Sequence, residues 1–354
     1  MINYGCTGCG ACSDVCSMST ALGEKVSPEN KLKSCERIEE GTCKPSDIRN
    51  IYQCTKCRAC EEVCPEEIRI TEIIDSARGI YVSDKGVKFG GQRELIKNIL
   101  QYGSPFGISR SRITFPREEH PERSDTLLFI GCYSSYVNKD IAMAGFNILR
   151  KLGIEFTCLG EEEPCCGYFI YNTGDHNSSE GLVKKNKVLF REKCIKKIIT
   201  ICPGCTRFLT QYYKMDIEVI HISKVVSNVM KERNVPIKNH EGMVTFHDAC
   251  NIGRSLGLYR EPRDMINALG YKLVEMELTK ETAICCGADG GMKIVFPGLA
   301  MEIGKTRLDG MPKECNKLFT ICPFCLANLR EASDKYKVGI EILSLLVEFN
   351  DSLL

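Results

Sequence analysis

The chain has 354 residues, 26% of them charged, and a formal net charge of +1. The balanced charge gives no argument for binding nucleic acid or a membrane surface, and the length suffices for two or three domains. Cysteine is the anomaly, with 23 residues. Tight C-x-x-C spacings and adjacent cysteine pairs favour metal–sulfur chemistry over a disulfide scaffold, which suits short secreted chains.

Other features of the sequence limit where the protein can be located and which cofactors it can bind. No apolar run approaches the roughly 20 residues of a spanning helix, and no secretory signal pattern opens the sequence. We therefore expect a cytoplasmic, reduced protein without a membrane span of its own, so that any membrane association is made through a partner. The dinucleotide, P-loop and zinc-protease motifs are missing from the sequence, which predicts no intrinsic flavin or NAD.

The first 64 residues carry one cysteine run twice. Each run has three cysteines separated by two residues and a fourth after three more, and Pro65 follows the second run. This spacing resembles that of bacterial ferredoxins with two cubane [4Fe-4S] clusters, in which the fourth cysteine of a run binds the other cluster. Structural zinc sites instead use pairs of C-x-x-C. The predicted ligand sets are Cys6, Cys9, Cys12 and Cys64 for one cubane, and Cys54, Cys57, Cys60 and Cys16 for the other.

The two-cluster domain is expected to occupy residues 1–80 as a helical domain of the α+β ferredoxin type, closed by a helix over 68–77. Residues 81–124 are predicted to be a connector. A helix over 93–100 fits there because its apolar side chains share one face, and the prolines and glycines after it disfavour regular structure. Cys35 and Cys43, which lie between the two runs, have no partner spacing and are interpreted as structural or free thiols.

A longer pattern of five cysteines occurs twice in the rest of the chain. The two copies are offset by 118 residues at the first cysteine and by 120 at the other four, which indicates a duplicated unit. We expect one domain over residues 125–240 and another over 241–354. The first motif contains Cys132, Cys165, Cys166, Cys202 and Cys205, and the second contains Cys250, Cys285, Cys286, Cys322 and Cys325.

Short apolar runs alternate with helical stretches in both copies, which predicts two α/β domains with a Rossmann-like parallel sheet. Strands are predicted over residues 127–130, 154–158, 198–201 and 218–220, and over 243–246, 272–275, 318–321 and 339–342. Helices are predicted over 140–152, 178–197, 260–269 and 297–309. The first and the C-P-x-C cysteines of each motif directly follow strands, so the motifs are expected at the carboxyl edges of the sheets. A pseudo-two-fold axis would bring these edges face to face.

The two motifs resemble those of the cysteine-rich CCG domain family. That family includes catalytic subunits of heterodisulfide reductase and the iron–sulfur subunits of lactate, glycolate and anaerobic glycerol-3-phosphate oxidation. A ferredoxin domain followed by two CCG domains resembles the D subunits of heterodisulfide reductases, a fused form of the C and B subunits. Further matching stretches are residues 246–250, Gly253 with Arg254, 285–291 and 299–308. In the reductases, the resemblance implies a non-cubane [4Fe-4S] cluster in each complete motif, and cleavage of a disulfide between the two.

The implied activity is two-electron reduction of a disulfide, the heterodisulfide of coenzymes M and B or an analogue. The two cubanes would pass electrons to the first non-cubane centre. The donor would be a flavoprotein that resembles the A subunit or a membrane cytochrome b that resembles the E subunit. Because all ten motif cysteines are present, disulfide chemistry is favoured over the alternative, an electron-transfer subunit that links a flavin dehydrogenase to a quinone or membrane carrier.

Several other side chains are candidates for the site. His247 lies three residues before Cys250, so it is interpreted either as a proton donor or as a group that orients a cluster ligand. Many relatives have histidine directly after this cysteine, where this chain has Asn251. Arg254, together with Arg263 and Lys293, is predicted either to bind an anionic substrate or to form ordinary surface salt bridges.

Overall fold

The structure is a computed structural model that describes residues 4–108 and 110–354. Its first part is helical: residues 4–108 contain helices and no strand, which corrects the α+β description of the N-terminal domain. The cysteine runs form tight loops, and the insert between them folds as helices. The helices are α1 (Ala11–Asp14), α2 (Ser17–Leu22), α3 (Pro28–Glu39), α4 (Pro45–Tyr52), α5 (Ala59–Glu62), α6 (Ile70–Lys85) and α7 (Gly90–Tyr102).

Helix α3 shows how the insert gains its structure. The side chain of Ser27 accepts a hydrogen bond from the backbone N–H of Asn30, and Pro28 occupies the first turn, where a missing N–H costs nothing. Leu32 and Cys35 are buried on the face that packs against α6. Cys35 therefore serves as a small core residue, in agreement with the structural role that its spacing indicates.

The second part contains a three-stranded parallel sheet in the order β1-β2-β3. Leu128 pairs with Ile199, and Ile199 pairs with the half-buried Ile220 of the edge strand. The predicted strand over residues 154–158 is reduced to a single parallel bridge at Thr157. The elements are β1 (Thr126–Phe129), α8 (Cys132–Tyr136), α9 (Lys139–Lys151), α10 (Tyr168–Thr173), α11 (His176–Glu192), β2 (Lys197–Thr200), α12 (Pro203–Tyr212), β3 (Glu218–His221) and α13 (Ile222–Glu232).

The third part contains a four-stranded parallel sheet in the order β5-β4-β6-β7. With Thr157 counted at the edge, the strand order of the two sheets is the same, as a duplication requires. Parallel sheets in both copies confirm the α/β expectation, whereas the pseudo-two-fold axis stays a prediction. The elements are β4 (Met243–Phe246), α14 (Arg260–Ala268), β5 (Lys272–Leu273), α15 (Met292–Val295), α16 (Pro297–Asp309), β6 (Lys317–Thr320), α17 (Pro323–Tyr336), β7 (Glu341–Ser344) and α18 (Leu345–Ser352).

Element boundaries differ from the predictions where local chemistry ends a helix or strand. The predicted helix over 178–197 stops at Glu192, because the exposed Cys194 adopts a left-handed φ of 57° that a helix cannot contain. In the other direction, α6 runs to Lys85 and so crosses the domain boundary predicted at residue 80. The last strand begins at Glu341, two residues later than expected, since Gly339 has a positive φ of 74°.

The two sheet domains share one hydrophobic core. Helix α18 packs against α9, and α13 packs against α14. Lys151 of α9 donates to the carbonyls of Asn350 and Leu353, 2.9 Å in each case, at the end of α18. The two cysteine-bearing sheet edges are thus held in a fixed relation by packing on the opposite side of the domains.

Arg78 of α6 joins all three parts of the chain. Its guanidinium is fully buried and donates to the carbonyls of Asn172 (2.9 Å), Gly290 (2.8 Å), Ile51 (2.7 Å) and Cys54 (3.3 Å). Asn172 belongs to the first sheet domain and Gly290 to the second, whereas Ile51 lies in the last turn of α4 and Cys54 begins the second cysteine run, whose backbone over residues 54–58 we call the ferredoxin loop. One side chain therefore sets the position of the second cysteine run between the two sheet domains.

We predict that Arg78→Met lowers the free energy of unfolding by at least about 3 kcal/mol, because four buried carbonyls lose a charged donor. Differential scanning calorimetry would measure this as a lower unfolding temperature. Arg93→Met is the control, since Arg93 is exposed and bonds only to carbonyls before its own helix. Equal stability of the two variants would contradict the role of Arg78.

Candidate iron–sulfur sites

Each C-P-x-C pair lies at the start of a helix. Cys202 precedes the first residue of α12 and Cys322 that of α17, each with proline in the first helical position. The Cys205 thiol donates to Cys202, and with the backbone N–H groups of Cys205 and Gly204 it holds the pKa of the Cys202 thiol below its ordinary value. The lowered pKa favours the thiolate form of Cys202 that a metal ligand requires. At Cys322 the Cys325 thiol also lowers the pKa, but burial and two neighbouring motif cysteines together outweigh this contact and raise the pKa above its ordinary value.

Each adjacent cysteine pair is followed by a glycine turn. Gly167 and Gly287 have φ of 95° and 92°, and a Cβ on Gly287 would lie 2.3 Å from the carbonyl oxygen of Ala300. The backbone N–H groups of these glycines point at the sulfurs of Cys165 (3.5 Å) and Cys285 (3.4 Å). Glycine is therefore required for the turn that directs N–H groups toward the sulfur atoms.

The two motifs face a single cavity of about 610 Å³ between the sheet domains. Tyr133, Phe169 and Phe324 form a half-buried aromatic rim, with ring centroids of Phe324 4.9 Å from Tyr133 and 5.5 Å from Phe169. Cys165 and Cys285 are buried beside the same cavity. Its walls contain eight motif cysteines: Cys132, Cys166, Cys202, Cys205, Cys250, Cys286, Cys322 and Cys325.

A buried polar network crosses this cavity and was not found from the sequence. Arg207 donates to the Tyr168 hydroxyl and to Asn251 Oδ1, both at 3.3 Å. Tyr168 (3.0 Å) and Asn251 (2.7 Å) in turn donate to Asp289 Oδ2. Burial raises the pKa of Tyr168 well above its ordinary value, so the hydroxyl keeps its proton. Tyr168 and Arg207 each stand two residues after a motif cysteine, which is the signal that could have identified them.

The cysteines of the N-terminal runs form two groups. Cys6, Cys9, Cys12 and Cys64 line one cavity of about 370 Å³ beside α3. Cys60 lies in the electrostatic environment of Cys57, Cys54 and Cys16, each of which raises its pKa after the larger effect of burial. The first predicted set thus lines one cavity, whereas Cys16 lies near both Cys12 and Cys60. Their assignment as cluster ligands stays a prediction.

The second run meets the second sheet domain. The Cys57 and Cys285 thiols are hydrogen-bonded, and this contact, with the nearby Arg254 charge, lowers the pKa of Cys57 to about 5. A Cβ on Gly290 would lie 2.3 Å from the carbonyl oxygen of Cys54, so this close approach requires glycine. We expected the electron supply to meet the first motif. The structure corrects this, because the contacting thiol is in the second.

Arg254 lies at this junction and not at the cavity. Its guanidinium donates to the carbonyls of Cys57 (2.6 Å), Glu281 (2.9 Å) and Ala283 (2.9 Å), and 8% of the residue is exposed. The Arg254 guanidinium thus links the second cysteine run to the segment before Cys285. This geometry corrects the interpretation of Arg254 as a substrate-binding or catalytic group.

The other two cationic candidates are also engaged in pairs. Arg263 donates to both carboxylate oxygens of Asp248, at 2.9 Å each, and to Glu275. Lys293 donates to Asn328 Oδ1 at 2.8 Å and pairs with Glu331. Neither side chain lines the cavity. The salt-bridge alternative therefore describes both residues.

His247 is fully buried behind the second motif. Its Nδ1 accepts a hydrogen bond of 3.1 Å from Arg307 Nε, so the neutral ring carries its proton on Nε2. Burial lowers the pKa of His247. Its ring and the Cys286 and Cys325 sulfurs offer ligand atoms that lie within 4.8 Å of one another. His247 does not line the cavity, which favours the orienting role over that of a proton donor to substrate.

Comparison with known protein families shows which class of protein this chain belongs to. The 4Fe-4S dicluster domain model matches residues 3–68, and the cysteine-rich domain model, CCG, matches residues 126–210 and 244–330. The fold and the cysteine sites thus define an iron–sulfur oxidoreductase with a ferredoxin-like domain and two CCG domains. Among the residues that the structure describes, no helix is both long and apolar enough to cross a membrane.

The chain belongs to the family of heterodisulfide reductase D subunits, which confirms the resemblance found in its motifs. It is 31% identical to the D subunit of the dihydromethanophenazine:CoB–CoM heterodisulfide reductase from Methanosarcina acetivorans, over 97% of this chain and 92% of that protein. Identity to the Methanosarcina mazei counterpart is 30%, over 95% and 90%. It is also 32% identical to the EtfAB:quinone oxidoreductase of Syntrophomonas wolfei, over 60% of this chain and 32% of that protein.

We predict crossed ligation in the N-terminal domain. Cys64→Ala should damage the cluster of the first run and Cys16→Ala that of the second, each with a loss of about four of some sixteen irons in anaerobically prepared protein. Iron analysis and electron paramagnetic resonance during a redox titration would follow each cluster. Cys43→Ala is the control outside both sets. Loss of the cluster in the same run would contradict the crossed pattern.

Proposed function

We propose that this protein reduces a small-molecule disulfide, the CoM–CoB heterodisulfide or an analogue, at the cavity between its two CCG domains. The observation that carries the proposal is that both five-cysteine motifs are complete and face the same cavity. In the balanced reaction the S–S bond breaks, two electrons come from a reduced partner protein, and two protons yield two thiols.

The donor set fits iron–sulfur clusters. Five soft thiol ligands per motif, converging N–H groups and burial suit iron bound to sulfur rather than a hard cation. The five cysteines of each motif would hold one non-cubane [4Fe-4S] cluster, and the two N-terminal sets would hold cubanes. When bound, the two motif clusters would supply one electron each to the two sulfur atoms of the substrate.

The chain's own polar groups would serve the proton chemistry. The Tyr168 hydroxyl lines the cavity, keeps its proton, and is held by Asp289 and Arg207. We assign to it the hydrogen bond to a sulfur of the departing thiolate, for which its single O–H would turn away from Asp289 Oδ2 while the oxygen still accepts from Arg207. The sequence offered His247 as one candidate for this proton chemistry. Asn251 occupies the position where relatives have histidine, and its two hydrogen bonds are used to link Arg207 to Asp289.

The electron donor would be a separate subunit, because the sequence offers no flavin or nicotinamide motif. A flavoprotein or a membrane cytochrome b would dock on the ferredoxin domain, whose Cys9 is exposed. The relatives are named as subunits, which supports a multisubunit complex for this chain as well. Reduced viologen dye would replace this partner in an assay.

The second candidate function is electron transfer between a flavin dehydrogenase and a quinone or membrane carrier. The similarity to an EtfAB:quinone oxidoreductase favours it. A relay needs one path and tolerates loss of one motif, whereas cleavage between two centres needs both. The two functions therefore differ in how they respond to a change in a single motif.

We predict that Cys285→Ala and Cys165→Ala each abolish viologen-driven reduction of the CoM–CoB heterodisulfide while both cubanes remain reducible. Steady-state dye oxidation, with cubane reduction followed spectroscopically, measures both properties. Cys194→Ala is the control, since this exposed cysteine lies outside the motifs. Activity above about a tenth of wild type corresponds to a barrier change under roughly 1.4 kcal/mol and would favour the relay.

Tyr168→Phe should lower the rate of disulfide reduction at least tenfold, or about 1.4 kcal/mol in barrier, because the departing sulfur loses its hydrogen-bond donor. Iron content should stay at the wild-type value. The matched control is Tyr171→Phe on the same helix, whose ring packs on His176 and Tyr212 away from the cavity. If both variants turn over alike, Tyr168 has no part in proton transfer.

A further inference from the structure

The two motifs differ at the residue three positions before their first cysteine. This position holds Phe129 in the first copy and His247 in the second. Both side chains are fully buried at the carboxyl end of the first strand in their sheet. The duplication therefore places an apolar ring and a polar ring at equivalent points behind the two cysteine sets.

Phe129 contributes only apolar contacts to the surroundings of the first motif. It belongs to the hydrophobic cluster that contains Cys166 and Cys205. Its ring packs edge-on against Phe190 of α11, with centroids 6.4 Å apart and planes at 85°. A phenylalanine side chain has no N–H group to offer the sulfur atoms.

His247 occupies the corresponding place with a donor. It lies beside Cys286 and Cys325, the counterparts of Cys166 and Cys205. Arg307 of α16 holds its Nδ1, which leaves the Nε2–H without a hydrogen-bond acceptor of standard geometry among the described residues. The ring is therefore fixed beside the sulfur atoms of the second motif, and its remaining N–H contacts the Cys286 thiol.

The fixed charges add to this difference. Arg307 and Arg254 are buried near the second motif, and the hydrogen bonds of Arg254 go to carbonyl groups. Asp248 lies nearby, but Arg263 pairs with it. Near the first motif, the buried carboxylate of Glu163 is paired with Arg112, and Ala283 stands at the equivalent position of the second copy. Arg207 is also buried near the first motif, but the buried Asp289, to which Tyr168 and Asn251 link it, balances its charge. The second motif thus has the more positive surroundings.

We propose that the His247–Arg307 pair raises the reduction potential of the centre in the second motif above that of the centre in the first. The inference rests on the proposed function in that each motif must hold an iron–sulfur centre. Hydrogen bonds to cluster sulfurs and nearby positive charge favour the reduced state, because they stabilise the added negative charge.

A difference in reduction potential sets the order in which electrons enter the two centres. The second motif also contains Cys285, which contacts Cys57 of the ferredoxin domain. The first electron from the partner would thus be stored in the second centre, and the first centre would fill after it. Two inequivalent centres let the protein collect a pair of electrons that arrive singly.

The test is a redox titration of the iron-loaded protein without any disulfide, followed by electron paramagnetic resonance. In His247→Phe, which copies the first motif, the midpoint potential of the second centre should fall. The expected fall is at least a tenfold change in the reduction equilibrium, about 59 mV for one electron. The first centre and both cubanes should keep their potentials. The same titration in Cys165→Ala, which removes the first centre, assigns the signals.

Two further variants keep the outcome decisive. His221→Phe is the control, since His221 is equally buried but its Nδ1 is bonded to Ser223, outside both motifs. If His247→Phe fails to load iron, the midpoint potential of the second centre in Arg307→Met tests the proposal instead. This variant keeps His247 but removes the buried charge and the hydrogen bond that fixes the orientation of the ring. An unchanged midpoint in the iron-loaded variant would overturn the proposal. A protein that lacks disulfide reductase activity but shows the shift would overturn the proposed function alone.

Discussion

The buried guanidinium of Arg78 is the contact on which the arrangement of the three parts depends. It donates to carbonyls of the ferredoxin loop and of both sheet domains, so no two parts can shift without breaking a charged hydrogen bond. Gly174 and Gly290 permit the approach, because a Cβ at either residue would lie within 2.5 Å of a carbonyl oxygen. The second cysteine run is held between the CCG domains as a result, with Cys57 against Cys285.

The shared cavity follows from the same arrangement. Cysteines that are more than 100 residues apart in sequence meet there because parallel strands place their carboxyl ends at one edge of each sheet. Hydrogen bonds from Tyr168 to Asp289 and from Arg207 to Asn251 cross the space between the edges. A substrate bound there would contact both motifs at once, which is the geometry that a two-electron cleavage requires.

Duplication produced two similar folds with different chemistry. The strand order and the cysteine positions are the same in both copies, whereas the supporting residues are not. Phe129 and Glu163 of the first copy correspond to His247 and Ala283 of the second. Such differences do not alter the sheet, because each residue is accommodated by its own partner, but they alter the electrostatic environment of the sulfur atoms.

The sequence by itself determined the cysteine sets, the parallel sheets and the family, since spacing and alternation are local patterns that one-dimensional order preserves. Only the tertiary structure decided which groups face the cavity. Arg254, for which the sequence left substrate binding and a surface salt bridge open, donates to the Cys57 carbonyl, and His247 is held by Arg307, 60 residues away. Tyr168 and Asp289, 121 residues apart, meet across the cavity. Such partners depend on how separate domains pack, and no local pattern encodes that packing.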